Sequence, residues 1–422
     1  MKPGGHGFFT MLSAMVLLAA TSFDARAGDW PQILGPDRNG VGQGEKLTES
    51  WPKDGPKVLW TARSGSGFAG PAVAGSRVVL FHRVGDADRI EALDVKSGDS
   101  LWKANYVAKY RGGVNPDSGP RCVPVIHEGS VFAFGAAGDL HCVSLEDGSK
   151  RWTRKLYDDY GGDEGYFGAG STPIVADGKL LVNVGGRDKA GLVALALDSG
   201  ETVWKTTDEQ ASYSSPTLAN IDGRQCAVFV TRMNVVAIDP ANGEEVMRFP
   251  FGRSGPTVNA ATPLVCGDSL FVTASYGIGA RLAKLERGKP KIVWSSDDAM
   301  SSQYATAVYR DGYLYGIDGR EDVGVAELRC IEAKTGKVAW TSEGFGVAHV
   351  ILAGDKLQLL KVSGELVLAN ASPQKFEPLA EAKIADGITR AMPALSNGRL
   401  YVRSNEGEAG TLYCLQVGEG AE

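Results

Sequence analysis

From about residue 71 onward, the chain repeats one pattern of apolar and polar positions eight times. Each repeat begins near a proline with a short segment rich in β-branched residues, followed by a turn with a glycine and a second such segment. A third short segment then leads into another turn that ends in glycine. The repeats begin 42–53 residues apart, at Pro71, Pro124, Pro173, Pro216, Pro263, Ala307, Ile351 and Pro393. A repeat of this length, built from short strands, predicts four-stranded blades stacked into a closed ring, a β-propeller.

The turn before the fourth strand keeps a fixed register. A tryptophan follows the glycine of this turn by four residues in four repeats, at Gly98–Trp102, Gly148–Trp152, Gly200–Trp204 and Gly336–Trp340. Met247 takes the place of the tryptophan in the fourth repeat, and the turn before Trp294 is longer. We expect the glycine to adopt a positive φ and the tryptophan ring to pack against the neighbouring blade.

The last repeat contains only three strands. Its fourth strand is predicted at the other end of the domain, at residues 56–60, which have the pattern of the end of a blade without its beginning. The sequence therefore predicts an all-β, eight-bladed propeller of four-stranded antiparallel blades over residues 56–418, in which the N-terminal strand completes the last blade and covers its edge. Residues 419–422 are predicted to be a disordered tail.

The first 55 residues precede the repeats. Residues 1–27 have the charge, the apolar run and the small-residue cleavage site of a secretory signal peptide, and no cysteine follows the run as a lipid acceptor. The protein is therefore expected in the periplasm or outside the cell. Residues 28–55 are rich in glycine and proline and are expected to lie across the propeller surface as an ordered strap.

Composition limits the classes of function. The formal net charge is −6 and no basic stripe is present, which argues against nucleic acid as a partner. No second apolar segment reaches membrane-spanning length, and we expect a monomer. Cys142, Cys330 and Cys414 fall on third strands of different blades, Cys226 and Cys266 fall on or beside strands of adjacent blades, and Cys122 starts an innermost strand. We therefore expect packing thiols and not disulfides.

No catalytic motif is recognisable. The chain lacks His-Glu-x-x-His, Gly-x-Ser-x-Gly and a phosphate-binding glycine loop, and no catalytic residues are assigned. One acidic segment, with Asp158, Asp159, Asp163 and Glu164, is a weak candidate for a calcium loop, but a solvated loop is favoured because the spacing does not match a calcium loop.

The ends of the innermost strands suggest a binding site. The longer connections emerge on one face of the ring. The residues that lie at or near the third position before each repeat start differ between blades, whereas the turn glycine and the tryptophan recur in most of them. The aromatic, cationic and polar members of this set are Phe68, Arg121, Tyr213, Asn259, Tyr304, His349 and Arg390. We predict that they surround the mouth of the central channel and bind a ligand with anionic or hydroxyl groups and a flat apolar part. A propeller mouth that is merely polar and hydrated is the alternative.

The repeats resemble the tryptophan-docking repeat of the pyrroloquinoline quinone (PQQ) propellers. Good copies are residues 93–102 (LDVKSGDSLW) and 331–340 (IEAKTGKVAW), and the chain is most similar to secreted PQQ-like repeat proteins of planctomycete-type bacteria. The resemblance implies either a scaffold, as in the distantly similar BamB of outer-membrane assembly, or an alcohol dehydrogenase with PQQ and Ca²⁺ in the funnel. The dehydrogenases' adjacent cysteine pair and c-type haem motif are missing here, and their base and calcium ligands cannot be placed.

Three functions remain open at the level of sequence. The favoured one is a non-catalytic, exported scaffold, without a cofactor, that binds a partner protein or a small ligand through its long-loop face. The second is a PQQ- and calcium-dependent dehydrogenase of alcohols or sugars. The third is a carbohydrate-binding propeller.

Overall fold

The computed structural model describes Met1 and residues 28–419. The predicted signal peptide, apart from Met1, and the last three residues of the predicted tail lie outside this range. Within it, eight separate four-stranded antiparallel sheets form the eight blades of a propeller, as the repeats predict. No helix in this part of the chain has the length and apolar character needed to cross a membrane.

The N-terminal strand β1 (Lys57–Gly65) is the outermost strand of the last blade. The first three blades follow in chain order. Their strands are β2 (Ala72–Ala74), β3 (Arg77–Val84), β4 (Ala87–Asp94) and β5 (Ser100–Val107); β6 (Val125–His127), β7 (Ser130–Phe134), β8 (Asp139–Ser144) and β9 (Lys150–Lys155); and β10 (Ile174–Ala176), β11 (Lys179–Asn183), β12 (Leu192–Ala196) and β13 (Thr202–Thr206). A five-residue helix, α1 (Leu156–Tyr160), follows blade 2.

Blades 4 to 8 continue the same order. Their strands are β14 (Thr217–Ile221), β15 (Arg224–Val230), β16 (Asn234–Ile238) and β17 (Glu245–Pro250); β18 (Leu264–Cys266), β19 (Ser269–Ala274), β20 (Gly279–Lys284) and β21 (Ile292–Ser296); β22 (Val308–Arg310), β23 (Tyr313–Arg320), β24 (Val325–Glu332) and β25 (Val338–Ser342); β26 (Ala348–Ala353), β27 (Lys356–Lys361), β28 (Glu365–Asn370) and β29 (Pro378–Lys383); and β30 (Ala394–Ser396), β31 (Arg399–Glu406) and β32 (Ala409–Gln416).

The ring closes through blade 8. Strand β1 pairs antiparallel with β32, and Trp60 lies opposite Cys414 while Thr61 lies opposite Tyr413. The final blade therefore joins the two ends of the chain, which confirms the predicted closure. Residues 404–410 form a tight hairpin turn between β31 and β32 and the strand ends on either side of it.

Adjacent blades are locked together by the tryptophans. The indole Nε1–H of Trp152 donates to the carbonyl of Leu197 in the next blade at 2.9 Å, and the ring lies against Gly200 of that blade's turn, where φ is +71°. A Cβ on Gly200 would lie 2.7 Å from the ring, so only glycine fits there. The same pair of contacts recurs at Trp60, Trp102, Trp204 and Trp294. Each tryptophan thus ties one blade to the next.

Blades 4 and 7 lack this tryptophan, and blade 4 uses backbone contacts instead. Met247 of blade 4 forms a parallel bridge with Gly288, which lies in the longer turn of blade 5. The amide of Gly288 donates to the carbonyl of Val246, and the amide of Arg248 donates to the carbonyl of Gly288. The longer turn before Trp294 therefore supplies the blade-to-blade contact that the side chain of residue 247 cannot make.

The cysteines are free and buried, as expected; five lie on strands of five different blades, and Cys122 lies in the connection that leads into blade 2. The six are Cys122, Cys142, Cys226, Cys266, Cys330 and Cys414.

The N-terminal arm, residues 28–55, differs from its expected place on the surface. Its first half enters the central channel, where Trp30 forms a bridge with Val73 of innermost strand β2, and Val41 forms one with Leu352 of innermost strand β26. Arg38 is only 1% exposed, and its guanidinium donates to the carbonyls of Thr172, Pro173 and Pro216 and to the side chain of Gln32. The arm thus makes contacts with most of the blades from inside the ring.

The arm enters and leaves at the face of the short turns. Asp29 accepts from the amide of Gly75, and Glu45 accepts from the amides of Asn397 and Gly398, all in or next to the turns between the first two strands of a blade. The middle of the arm reaches toward the opposite, long-loop face. The channel is therefore filled from one side, and its other mouth becomes a blind pocket.

Candidate functional site

The mouth of the channel on the long-loop face holds a cavity of about 750 Å³. Ile33 of the N-terminal arm lines it from below, and residues of the connections that precede the innermost strands form its walls. Six of the seven residues predicted from the sequence line this cavity: Phe68, Arg121, Tyr213, Tyr304, His349 and Arg390. We call it the mouth cavity.

Asn259 is the predicted residue that does not line the mouth cavity. It is buried, and its side-chain Nδ2 donates to the carbonyls of Thr231, Arg232 and Phe251. Its neighbour Ala260 lines the cavity in its place. Asn259 therefore fixes the connection before blade 5 and is not part of the cavity wall.

Two arginines meet on one aromatic ring. The guanidinium carbon of Arg390 lies 4.9 Å from the centroid of Phe68, and that of Arg121 lies 5.8 Å from the same centroid. Arg121 also stacks on Tyr110 at 5.0 Å. Cations over aromatic faces are stabilised by the ring quadrupole, so these contacts hold both guanidiniums at the mouth.

Each of these arginines also has a carboxylate partner. Arg121 pairs with Asp117 at 3.2 Å, and burial lowers its pKa, although Asp117 acts in the opposite direction. Arg390 makes a two-point contact with Glu321, with Nε–Oε2 at 3.0 Å and Nη2–Oε1 at 2.5 Å. Burial opposes the charge of Arg390, but the contact with Glu321 outweighs it and raises the pKa.

Glu321 organises one side of the cavity. The hydroxyl of Tyr304 donates to Glu321 at 2.5 Å, and burial, with the nearby carboxylate, raises the pKa of Tyr304 well above its usual value. His349 contacts the carbonyl of Arg390 through Nε2 at 2.7 Å, and burial lowers the pKa of His349. Since a carbonyl only accepts, Nε2 carries the proton of a neutral imidazole. Glu321 lies in the turn between β23 and β24, a position that the sequence analysis did not consider.

The opposite side of the cavity is aromatic. The hydroxyl of Tyr213 accepts hydrogen bonds from the amides of Tyr166 and Phe167, and the rings of Phe167 and Tyr213 pack edge to face at 5.5 Å. Val114 and Tyr166 lie at the rim and are 72% and 42% exposed. Exposed apolar groups around a concave site with fixed cations suit the binding of a partner segment or a flat ligand.

The acidic candidate segment does not converge on one point. Asp158 lies 3.6 Å from Lys109, Asp159 lies 2.8 Å from Arg154, and Asp163 accepts from the amide of Gly165. In the part of the chain that the structure describes, no group of three or more His, Cys, Asp or Glu side chains is arranged to hold a metal ion.

Comparison with known proteins places this architecture in a family. The profile of the family described as outer membrane protein assembly factor BamB matches residues 40–167 and 86–342, which together span more than two thirds of the chain. The factor of that name from Alkalilimnicola ehrlichii is 27% identical over 221 residues, covering 52% of each chain, so the match spans about half of that relative. The factor from Salmonella typhimurium is 24% identical over 307 residues, covering 70% of this chain and 74% of the relative.

Solved structures show the same fold. BamB from Moraxella catarrhalis superposes with a TM-score of 0.63 at 17% identity, covering 85% of this chain and 99% of that one. Quinohemoprotein alcohol dehydrogenase from Comamonas testosteroni superposes with a TM-score of 0.57 at 14% identity, covering 94% and 82%. The same fold therefore occurs both in BamB and in a quinohemoprotein alcohol dehydrogenase, so the function of this chain must be argued from its site.

Proposed function

Since this chain belongs to the family described as outer membrane protein assembly factor BamB, we propose that it is an exported, non-catalytic scaffold that binds a partner protein through the mouth cavity. The observation that carries the proposal is a blind, aromatic cavity on the face of the longer loops, with two guanidiniums fixed over Phe68. The proposed export rests on the leader pattern of residues 1–27.

The chemistry of the mouth suggests which partner segment it accepts. Arg121 and Arg390 line the cavity beside apolar ring faces, with 10% and 28% of their side chains exposed, and Val114 and Tyr166 extend the apolar rim. A segment with an aromatic or aliphatic side chain next to a carboxylate matches this arrangement, because the apolar group fills the cavity while the carboxylate reaches a guanidinium. We propose such an acidic, apolar segment as the ligand.

The donor set of the cavity supports a function without a bound quinone. Its lining carboxylates are Glu321 and Asp322, and they contact Arg390 and Arg320, respectively. Calcium prefers several carboxylate and carbonyl oxygens directed at one point, and these two carboxylates are already committed to arginines. These residues do not fit a calcium-bound PQQ, and we propose no redox step at this site.

Two matched valines provide the test. Val114 lines the mouth cavity and is 72% exposed, whereas Val107 is 84% exposed and lies outside the cavity. A photo-crosslinking residue, p-benzoylphenylalanine, is placed at each position in turn and irradiated in the native cells. We expect one dominant protein adduct from position 114 and none from position 107. The protein identified in that adduct is then purified, and it should bind Val114→Asp at least tenfold more weakly than Val107→Asp. Equal adducts at the two positions, no adduct at position 114, or equal affinity of the two variants would contradict it.

A further inference from the structure

A second cavity, of about 640 Å³, lies on the same face, outward from the channel. Its walls are the connection after α1 (residues 161–171), the turn of blade 3 (residues 184–188) and the connection that leads into blade 4 (residues 208–213). It adjoins the mouth cavity through the shared residues Tyr166, Gly170 and Tyr213. We call it the blade-3 cleft.

Asn183 lies at the inner end of the blade-3 cleft. It is the last residue of β11 and is 2% exposed, yet neither Oδ1 nor Nδ2 of its side chain has a hydrogen-bond partner. Side chains alternate along a strand, so Asn183 points to the same side as Leu181, which packs with Ala227 and Phe229 of blade 4. A buried amide that leaves both its donor and its acceptor unused costs folding free energy, so it calls for a ligand or a specific function.

The other blades show that this asparagine is an exception. The equivalent second-strand position in each blade lies two residues after the partner of the third-strand residue that pairs with the fourth-strand tryptophan, or with Met247 in blade 4 and Ala380 in blade 7. This position is buried in every blade. Five blades place an apolar side chain there: Phe81, Phe134, Val230, Ile317 and Leu360. In the other two, Thr273 donates to the carbonyl of Met300, and Arg403 donates to the carbonyls of Ala69 and Gly65. An apolar residue therefore suits the fold, and Asn183 is not required for it.

The surroundings of Asn183 define the chemistry of a ligand. The amide offers one acceptor and a donor group, which matches a hydroxyl or a pair of neighbouring hydroxyls. Four carboxylates line the cleft, from Asp163, Glu164, Asp188 and Asp208, against the two arginines Arg187 and Arg232. Arg232 is moreover held by Thr257 and the carbonyl of Gly255. The excess of negative charge disfavours an anion, and the carboxylates are strong acceptors for hydroxyl groups.

An aromatic surface stands at the junction of the two cavities. The ring of Tyr166 is partly exposed and lines both of them, so it presents an apolar face beside the polar cleft. Polar groups inside and an aromatic face at the entrance together suit a ligand with hydroxyls on its rim and C–H groups on its face. We infer that the blade-3 cleft binds a neutral saccharide, with a pair of its hydroxyls on the side chain of Asn183. The blade-3 cleft adjoins the proposed partner site at Tyr166, but the inference rests on Asn183, which lines only the cleft, and does not depend on the proposed function.

The test uses Asn183→Val, which installs the residue of blade 4 at this position. The purified protein is applied to an array of neutral and acidic oligosaccharides, and the best neutral glycan is then titrated by calorimetry. We expect retention of neutral glycans by the wild-type protein and at least a tenfold weaker affinity for Asn183→Val. The melting temperature of the variant should be equal or higher, because the unpaired amide is removed. Asn220→Ala, on the opposite face, is the control and should bind like the wild type.

Other outcomes would overturn the inference. Retention of no neutral glycan by the array, or binding of the glycan by Asn183→Val as tightly as by the wild type, would mean that the cleft holds only water. A lower melting temperature of Asn183→Val would indicate a structural role for the amide. Binding of triglycine that depends on Asn183, without any glycan binding, would assign the cleft to a peptide.

Discussion

Arg390 and Glu321 form a two-point ion pair across the channel mouth, although they are 69 residues apart in the chain. The pair joins the turn of blade 6 to the connection that leads into blade 8, and it also fixes the hydroxyl of Tyr304. One carboxylate thus holds two residues of the cavity wall in place. The rigidity of this wall follows from Glu321 more than from any residue that the sequence singles out.

Replacement of Glu321 should lower the stability of the protein. Glu321→Gln leaves the partly buried guanidinium of Arg390 without its counter-charge, and we expect the free energy of unfolding to fall by about 2 kcal/mol. Urea denaturation measures this change. Asp311→Asn is the matched control, because Asp311 pairs with Arg310 while 84% of its side chain is exposed, and it should change stability by less than about 0.5 kcal/mol. Equal effects would show that the mouth pair does not stabilise the wall.

The contact between Gly200 and Trp152 predicts a difference between two glycines. Gly200 and Gly178 have similar positive φ values, +71° and +66°, but a Cβ at Gly178 would meet no atom within 4 Å. Gly178→Ala should therefore cost only the backbone strain, about 1 kcal/mol. Gly200→Ala should cost at least about 2 kcal/mol more, since it also pushes the tryptophan ring out of contact. Similar denaturation midpoints for the two variants would contradict the locking role of the tryptophan.

The buried guanidinium of Arg38 in the central channel predicts that the N-terminal arm, residues 28–55, is part of the folded core. Arg38→Met leaves the carbonyls of Thr172 and Pro216 without their donor, and we expect a loss of about 3 kcal/mol of stability. The variant should also be cleaved faster by thermolysin within residues 28–55. The exposed Arg63 serves as the control, and Arg63→Met should leave both measurements unchanged. Resistance of Arg38→Met to thermolysin would contradict the role of Arg38 in holding the arm inside the channel.

One buried histidine predicts a dependence on pH. His141 stacks on Tyr106 with ring centroids 3.7 Å apart, and burial lowers its pKa to about 4. The unfolded chain takes up this proton below about pH 6.5 and the folded protein only below about 4, so stability falls as the pH drops through this window. The loss should reach about 3 kcal/mol at pH 4. His141→Phe should flatten the urea-measured profile between pH 6.5 and 4, and a variant profile as steep as that of the wild type would contradict the role of His141.

The blade pattern could be predicted because it is repeated. The spacing of Gly98 and Trp102 recurs through the chain, and residues that serve the same contact in several blades stand out from the background. The closing strand was predictable for the same reason, since residues 56–60 complete a pattern that the last repeat leaves unfinished. Five residues of the mouth cavity followed from their common distance of three positions before a repeat start, and His349 followed from lying next to that position.

Other features carry no such pattern. Arg38 donates to backbone carbonyls that lie 134 or more residues away in the chain. Every residue has a backbone carbonyl, so the residue types do not reveal which carbonyls accept these hydrogen bonds. Glu321 lies in a turn between two strands, away from the position used to choose the site residues. Asn259 has the expected position, but its connection turns the amide toward backbone acceptors inside the protein. These outcomes depend on the path of single loops, which periodicity does not determine.

Hydrogen exchange tests the proposed binding face most directly. The protein is compared with and without its crosslinking-identified partner, and deuterium uptake is followed by mass spectrometry. The account predicts protection in the segments that surround the mouth cavity, residues 111–118, 164–170 and 253–258, with unchanged uptake in the short turns at residues 75–76, 177–178 and 397–398. Protection confined to those short turns or to the outermost strands, with none at the mouth, would contradict it.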